Sequence, residues 1–166
     1  MAIDYSQPSY KEMFANYGLT ALAAQALEKT VFLLLAAIEC LETGKVEKNE
    51  LYEVFDKHDR KTLGQLINTV RSKVAFPQDL ENALNCALEK RNYVMHHFFL
   101  KDFDTRPLAV SPEKLSEQLR PIRDLFDDVR NRVDGILETI QNQLQVPRTA
   151  FDEKARQLLT SYESSN

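Results

Sequence analysis

Between Leu115 and Ile140 the apolar residues Leu115, Leu119, Ile122, Phe126, Val129, Val133, Ile136 and Ile140 recur in alternating steps of four and three. That period belongs to one face of an α-helix held for more than three heptads, and no strand can present it. A helix of this length with a single apolar stripe is stable only against other helices. The rest of the chain agrees with that demand. Its 166 residues contain four glycines, the β-branched residues are scattered, and stretches rich in Ala, Leu, Glu, Lys and Gln are divided by well-spaced prolines. The expected fold class is all-α: an up-and-down bundle of four to five main helices in one domain, since the length suffices for one real core and falls short of two.

Punctuation places the helices. Ser9 with Glu12 reads as a capping box for a short helical turn, and Gly18 separates that turn from a first long helix over 19–43, which Gly44 stops. Residues 1–17 are thus expected as an N-terminal segment, 18–146 as the bundle, and 147–166 as a short terminal helix, capped by Thr149 and Asp152, with a frayed tail. Val31 to Ile38 is apolar on every face, so neighbours must surround it. A short helix is expected around Leu51, Val54 and Phe55. Thr62 with Gln65 then caps a helix whose inner face is Leu63, Leu66, Ile67 and Val70. Pro77 opens a helix that ends within 101–104, and Ser111 with Pro112 opens the long striped helix, which Pro121 either kinks or begins and Pro147 ends.

Composition narrows the functional classes. A formal charge of −4 excludes a broad basic coat for nucleic acid, so any RNA contact is local and no DNA binding is expected. Met1 to Tyr17 is polar and lacks the apolar core of a signal peptide, and the eight-residue run Val31–Ile38, bounded by Glu28, Lys29 and Glu39, is too short to span a bilayer. The expectation is a cytoplasmic protein without membrane contact. Cys40 and Cys86 lie in apolar helical patterns without metal-ligand spacing and read as reduced, buried packing residues. No cofactor and no metal is expected.

The segment richest in chemistry is Lys90 to Phe99, KRNYVMHHFF. An arginine can hold a phosphate through a planar fork of donors, and a histidine exchanges protons near neutral pH. Leu80, Leu84, Ala87, Leu88, Val94, Met95 and Phe98 form the apolar face of this helix, with Arg91 at its centre. At about 100° per residue, His96 lies roughly 140° around from Arg91, on a face with Asn85, Asn92 and Leu100. One regular helix therefore splays the two side chains apart. A second copy of the helix or a local distortion would bring them together.

The pattern of Arg91, Asn92 directly after it, and His96 at the fifth position resembles the RxxxxH motif of the HEPN superfamily (higher eukaryotes and prokaryotes nucleotide-binding domains), as does a helical bundle carrying that motif late in a long helix. The resemblance covers 18–144 in outline. It implies a homodimer in which two motif helices share one cleft, and a metal-independent endoribonuclease of toxin–antitoxin or phage-defence type, held in check by an antitoxin-like protein partner. It implies Arg91, His96 and Asn92 as catalytic residues, RNA as substrate, and products with a 2′,3′-cyclic phosphate. The alternative is a non-catalytic HEPN-like module for dimerisation, nucleotide binding or partner binding.

Plainer readings stand beside these. Arg91 can pair with a buried acid, Glu28 being the obvious candidate. His97 points about 100° from His96 and reads as a surface or interface residue, His58 in DKHDRK as part of a solvated helix end, and Phe98 and Phe99 as core. Arg120, Arg123, Arg130 and Arg132 alternate with Asp124, Asp127, Asp128 and Asp134, as on a solvated ion-paired face.

Overall fold

The computed structural model describes residues 4–44, 53–54, 56–99, 110–144, 153 and 157. Among these the regular structure is helical, with no strand. The elements are α1 (Pro8–Thr43), α2 (Leu63–Arg71), α3 (Gln78–Asn92) running into a π-helical turn (Tyr93–His97), and α4 (Pro112–Gln143). The all-α helical bundle read from the sequence is the fold observed. It divides into two compact units, 1–27 with 77–130 and 28–76 with 131–166, each built from two separate stretches of chain.

In the first unit the core is Met13, Leu27, Leu80, Leu84, Val94, Phe98, Leu115, Leu119 and Phe126. Asn16 Nδ2 donates to Ser116 Oγ, tying α1 to α4. The expected break at Gly18 is absent, because α1 runs without interruption from Pro8 to Thr43. An interior glycine costs a helix roughly 1 kcal/mol. Burial of Met13, Thr20, Ala23 and Ala24 on either side of it outweighs that cost. Gly44 does stop the helix, at φ 67°, in the left-handed region where a side chain would be strained.

The second unit buries Val31, Leu34, Leu35, Ile38, Leu63, Leu66, Ile67, Val70, Val133, Leu137 and Ile140. The inner face of α2 is the expected one, and its capping box forms with Thr62 and Gln65 each accepting from the other's backbone. The stripe of α4 drifts at its end, where Leu137 is buried and Ile136 half-buried. A straight helix of 3.6 residues per turn slips about 20° per heptad against a 3.5-residue repeat, which moves the seam by one residue after three heptads. α4 passes through Pro121 at an exposed position, where water can serve the carbonyl that proline leaves without a donor. Ser111 Oγ accepts from the Lys114 amide as the expected cap.

Two residues differ from expectation. Cys86 is exposed, on the α3 face opposite Leu84 and Ala87, while Cys40 is buried as expected. His58, read as solvated, is 1% exposed. The charged run around it hid its role. An ionised carboxylate only accepts, so His58 Nε2 carries the proton and donates to Glu39 Oε1 at 2.9 Å. Lys57 and Lys73 place their ammonium groups 3.4 and 3.9 Å from the same oxygen. The expectations at Leu51, Phe55, 101–104, Pro147, Thr149 and Asp152 lie outside the described residues.

Burial alone pushes the Glu39 carboxyl up, but the His58 hydrogen bond, the His58 charge and Lys57 together hold it below its usual 4.5. A lowered folded value stabilises above pH 4.5 and loses that contribution as the pH falls through it. Glu39→Gln should cost about 1–3 kcal/mol in urea unfolding at neutral pH. It should also flatten the loss of stability that the wild type shows below pH 4.5. Separately, no atom lies within 4 Å of a Cβ built on Gly18. Gly18→Ala should therefore raise the stability of dilute protein by about 0.5–1 kcal/mol.

Candidate functional site

α3 starts from Pro77, whose extended ψ of 144° makes it the cap rather than the first helical residue, and Asp79 and Glu81 favour the positive end of the helix dipole. Leu80, Leu84 and Ala87 bury its inner face. Lys90 and Arg91 occupy the last turn, where the dipole favours cations. Arg91 is half-buried rather than central to the core, and Asn92, His96 and His97 are exposed. Arg91 Nη1 donates to Asn92 Oδ1 at 3.3 Å. Arg91 belongs to the first unit and Glu28 to the second.

The helix changes its winding immediately after Asn92. From Tyr93 to His97 it is π-helical, and the Phe98 amide donates to the carbonyl of Tyr93, five residues back. Such turns are rare and concentrate at functional sites. With roughly 4.4 residues per turn, each π step turns the chain about 82° rather than 100°. Counting three such steps, the angle from Arg91 to His96 shrinks from roughly 140° to roughly 90°, and His96 comes almost in line above Asn92. The local distortion that the motif called for is present. It narrows the splay without closing it, and His96 makes no hydrogen bond to Arg91 or Asn92 among the described residues. The His96 and His97 rings meet edge to face at 6.4 Å.

The hydrogen bonds explain how the turn is held. In a regular helix the Phe98 amide would donate to the carbonyl of Val94; here it goes to Tyr93, and the Val94 carbonyl loses its donor. The Tyr17 hydroxyl supplies the replacement, donating to Val94 O at 3.3 Å from α1. Val94 is buried, so an unserved carbonyl would be expensive there. Aromatic packing fixes the donor. The Tyr17 ring lies 4.6 Å from Phe99 and 5.5 Å from Phe98, and Tyr93 meets Phe98 edge-on at 6.0 Å. Phe98 is core, as expected. Tyr17 carries no signal in the sequence, because its contact spans 77 residues.

Beside the motif, Glu89, Lys90 and Tyr93 face Gln118, Pro121, Ile122 and Leu125 of α4 across an open groove of about 650 Å³. Among the described residues no three His, Cys, Asp or Glu side chains cluster as a metal site requires. The Arg130 guanidinium lies 3.4 Å from Asp127, one turn away on an exposed face, as the alternating charges suggested.

No protein-family model, no curated protein and no solved structure matches the chain.

Tyr17→Phe removes the donor and leaves the ring. The Val94 carbonyl then competes again for the Phe98 amide, and the turn should relax toward regular α-helix. Amide exchange at 93–98 should rise and the His96 ring resonances should shift, while the global melting temperature changes by only a few degrees, as expected for loss of about 1 kcal/mol.

Proposed function

We propose that the protein is a HEPN-type endoribonuclease, working as a cytoplasmic homodimer on RNA, with Arg91, Asn92 and His96 as its catalytic residues. One observation carries the reading: a π-turn sits between Arg91 and His96 and turns an otherwise splayed pair toward a common face, with Asn92 linked to Arg91 and in line with His96. His96 and Asn92 are open to solvent, as residues that meet a polymer must be. The reaction needs only proton transfer and charge stabilisation. One histidine takes the proton of the ribose 2′ hydroxyl, whose oxygen attacks phosphorus. The histidine of the second copy protonates the departing 5′ oxygen, and the arginines stabilise charge on the pentacoordinate phosphate. The products carry a 2′,3′-cyclic phosphate and a 5′ hydroxyl. Asn92 orients Arg91 through the observed hydrogen bond. In this reading the cell restrains the enzyme with an antitoxin-like protein.

The acidic balance of −4 favours a second reading, a HEPN-like module that binds a partner or nucleotide without cleaving RNA. Incubation with structured and unstructured RNA in EDTA separates the two. The ribonuclease cleaves, and Arg91→Ala and His96→Ala each slow cleavage by about 100-fold or more while remaining folded. If the wild type leaves every RNA intact, the binding module replaces it.

A further inference from the structure

The groove between α3 and α4, both parts of which lie in the first unit, carries polar groups that the fold does not use. Glu89, Lys90 and Tyr93 stand on one wall and Gln118, Pro121 and Ile122 on the other, around about 650 Å³ of open space. That volume falls within the range of small-ligand sites, roughly 300–1,000 Å³. Among the described residues the side chains of Glu89, Lys90 and Gln118 make no hydrogen bond and no ion pair. Apolar walls with a few convergent polar groups left to spend are the usual form of a binding site. Tyr93 is the first residue of the π-turn, and Phe98, buried in the core, meets its ring edge-on at 6.0 Å. The turn that rotates His96 thus also sets an aromatic ring in the groove.

We propose that this groove holds a guanine base of single-stranded RNA. A flat ring suits walls of Tyr93, Pro121 and Ile122, because every base has a π-face that stacks on an aromatic side chain. The carboxylate of Glu89 repels a phosphate, which carries the same sign of charge, so the base rather than the backbone enters. The polar groups then select among bases. A carboxylate only accepts, an ammonium only donates, and an amide does both. Guanine presents two adjacent donors, N1–H and the N2 amine, to a carboxylate such as Glu89, and its O6 acceptor to an ammonium such as Lys90. Adenine and cytosine place a ring-nitrogen acceptor beside their one amine, and uracil has a single donor between two carbonyls. Each of these three sets a lone pair against the carboxylate. Gln118, on the opposite wall, can donate to the guanine N7.

The groove is continuous with the motif. Lys90 directly precedes Arg91 in the last turn of α3. His97 follows Tyr93 by four residues, about one turn, and its ring lies 6.4 Å from that of His96. A base seated against Tyr93 therefore leaves its ribose and phosphate at the end of the groove that adjoins Arg91, Asn92 and His96. The inference rests on the ribonuclease reading for the reaction at that phosphate and adds base selection to it. The preference for guanine is measurable without cleavage, so the two fail separately.

The test uses fluorescent 2′-O-methyl oligonucleotides, which have no 2′ hydroxyl to attack phosphorus and so bind without being cut. Each is a run of uridines with G, A, C or U at its centre, and binding to the full-length protein is followed by fluorescence anisotropy. The guanine oligonucleotide should bind about tenfold or more tightly than the other three. Glu89→Gln, at an exposed position of α3, should leave the melting temperature unchanged and bring the four affinities to within about threefold of one another. Tyr93→Leu should weaken all four by about tenfold, since stacking does not depend on the base. Equal binding of the four by the wild type, binding of none, or a guanine preference that survives Glu89→Gln overturns the proposal. Free guanosine monophosphate that binds more tightly than the oligonucleotide overturns RNA as the source of the base. A guanine preference in binding with no cleavage of unmodified RNA removes the ribonuclease reading alone; cleavage indifferent to the neighbouring base and to Glu89→Gln removes the groove alone.

Discussion

The amide of Phe98 has two carbonyls within reach, and its choice of Tyr93 over Val94 shapes the region around the motif. Taken alone the choice is unfavourable, because it strands a buried acceptor. It becomes affordable when the Tyr17 hydroxyl arrives from another helix, 77 residues away, and serves the Val94 carbonyl. The exchange is one hydrogen bond for another, so its net stability is small. Its geometric effect is larger, since it rotates every side chain after Asn92 relative to those before it. His96 moves toward Asn92, and Phe98 still reaches the core.

That exchange depends on α1 being one continuous helix. Gly18 does not end it, and its N-terminal turns can therefore hold Asn16 against Ser116 and Tyr17 against Val94 at the same time. The same glycine leaves a gap in an exposed apolar face. In the second unit a different economy holds. Glu39, at the end of an apolar run, is buried together with His58, and Lys57 and Lys73 keep its charge matched. Burying one of these groups without the others would be costly. The cluster acts as a unit.

Much of the architecture could be read from residue order. The stripe of α4, the Thr62–Gln65 box, the Ser111 cap and the Gly44 stop are all local: each depends on residues within a few positions, where periodicity and backbone geometry act directly. The errors share one cause. Gly18 looked like a boundary, Cys86 like core and His58 like surface, because propensity and charge were weighed without the groups that pack against them. For His58 no local pattern exists that would have placed it, since its partner Glu39 lies 19 residues earlier.

By itself the sequence determined that the chain is helical, where most helices start and stop, and that Arg91, Asn92 and His96 share one helix at a five-residue spacing. Those properties follow from side-chain period, capping and dihedral preference, all short-range. Only the tertiary structure decided that the helix winds as a π-turn between the arginine and the histidine, that Tyr17 holds it so, and that Glu39 and His58 are buried together. The physical reason is that each of these rests on a hydrogen bond between residues far apart in the chain, and a buried polar group settles where a partner reaches it.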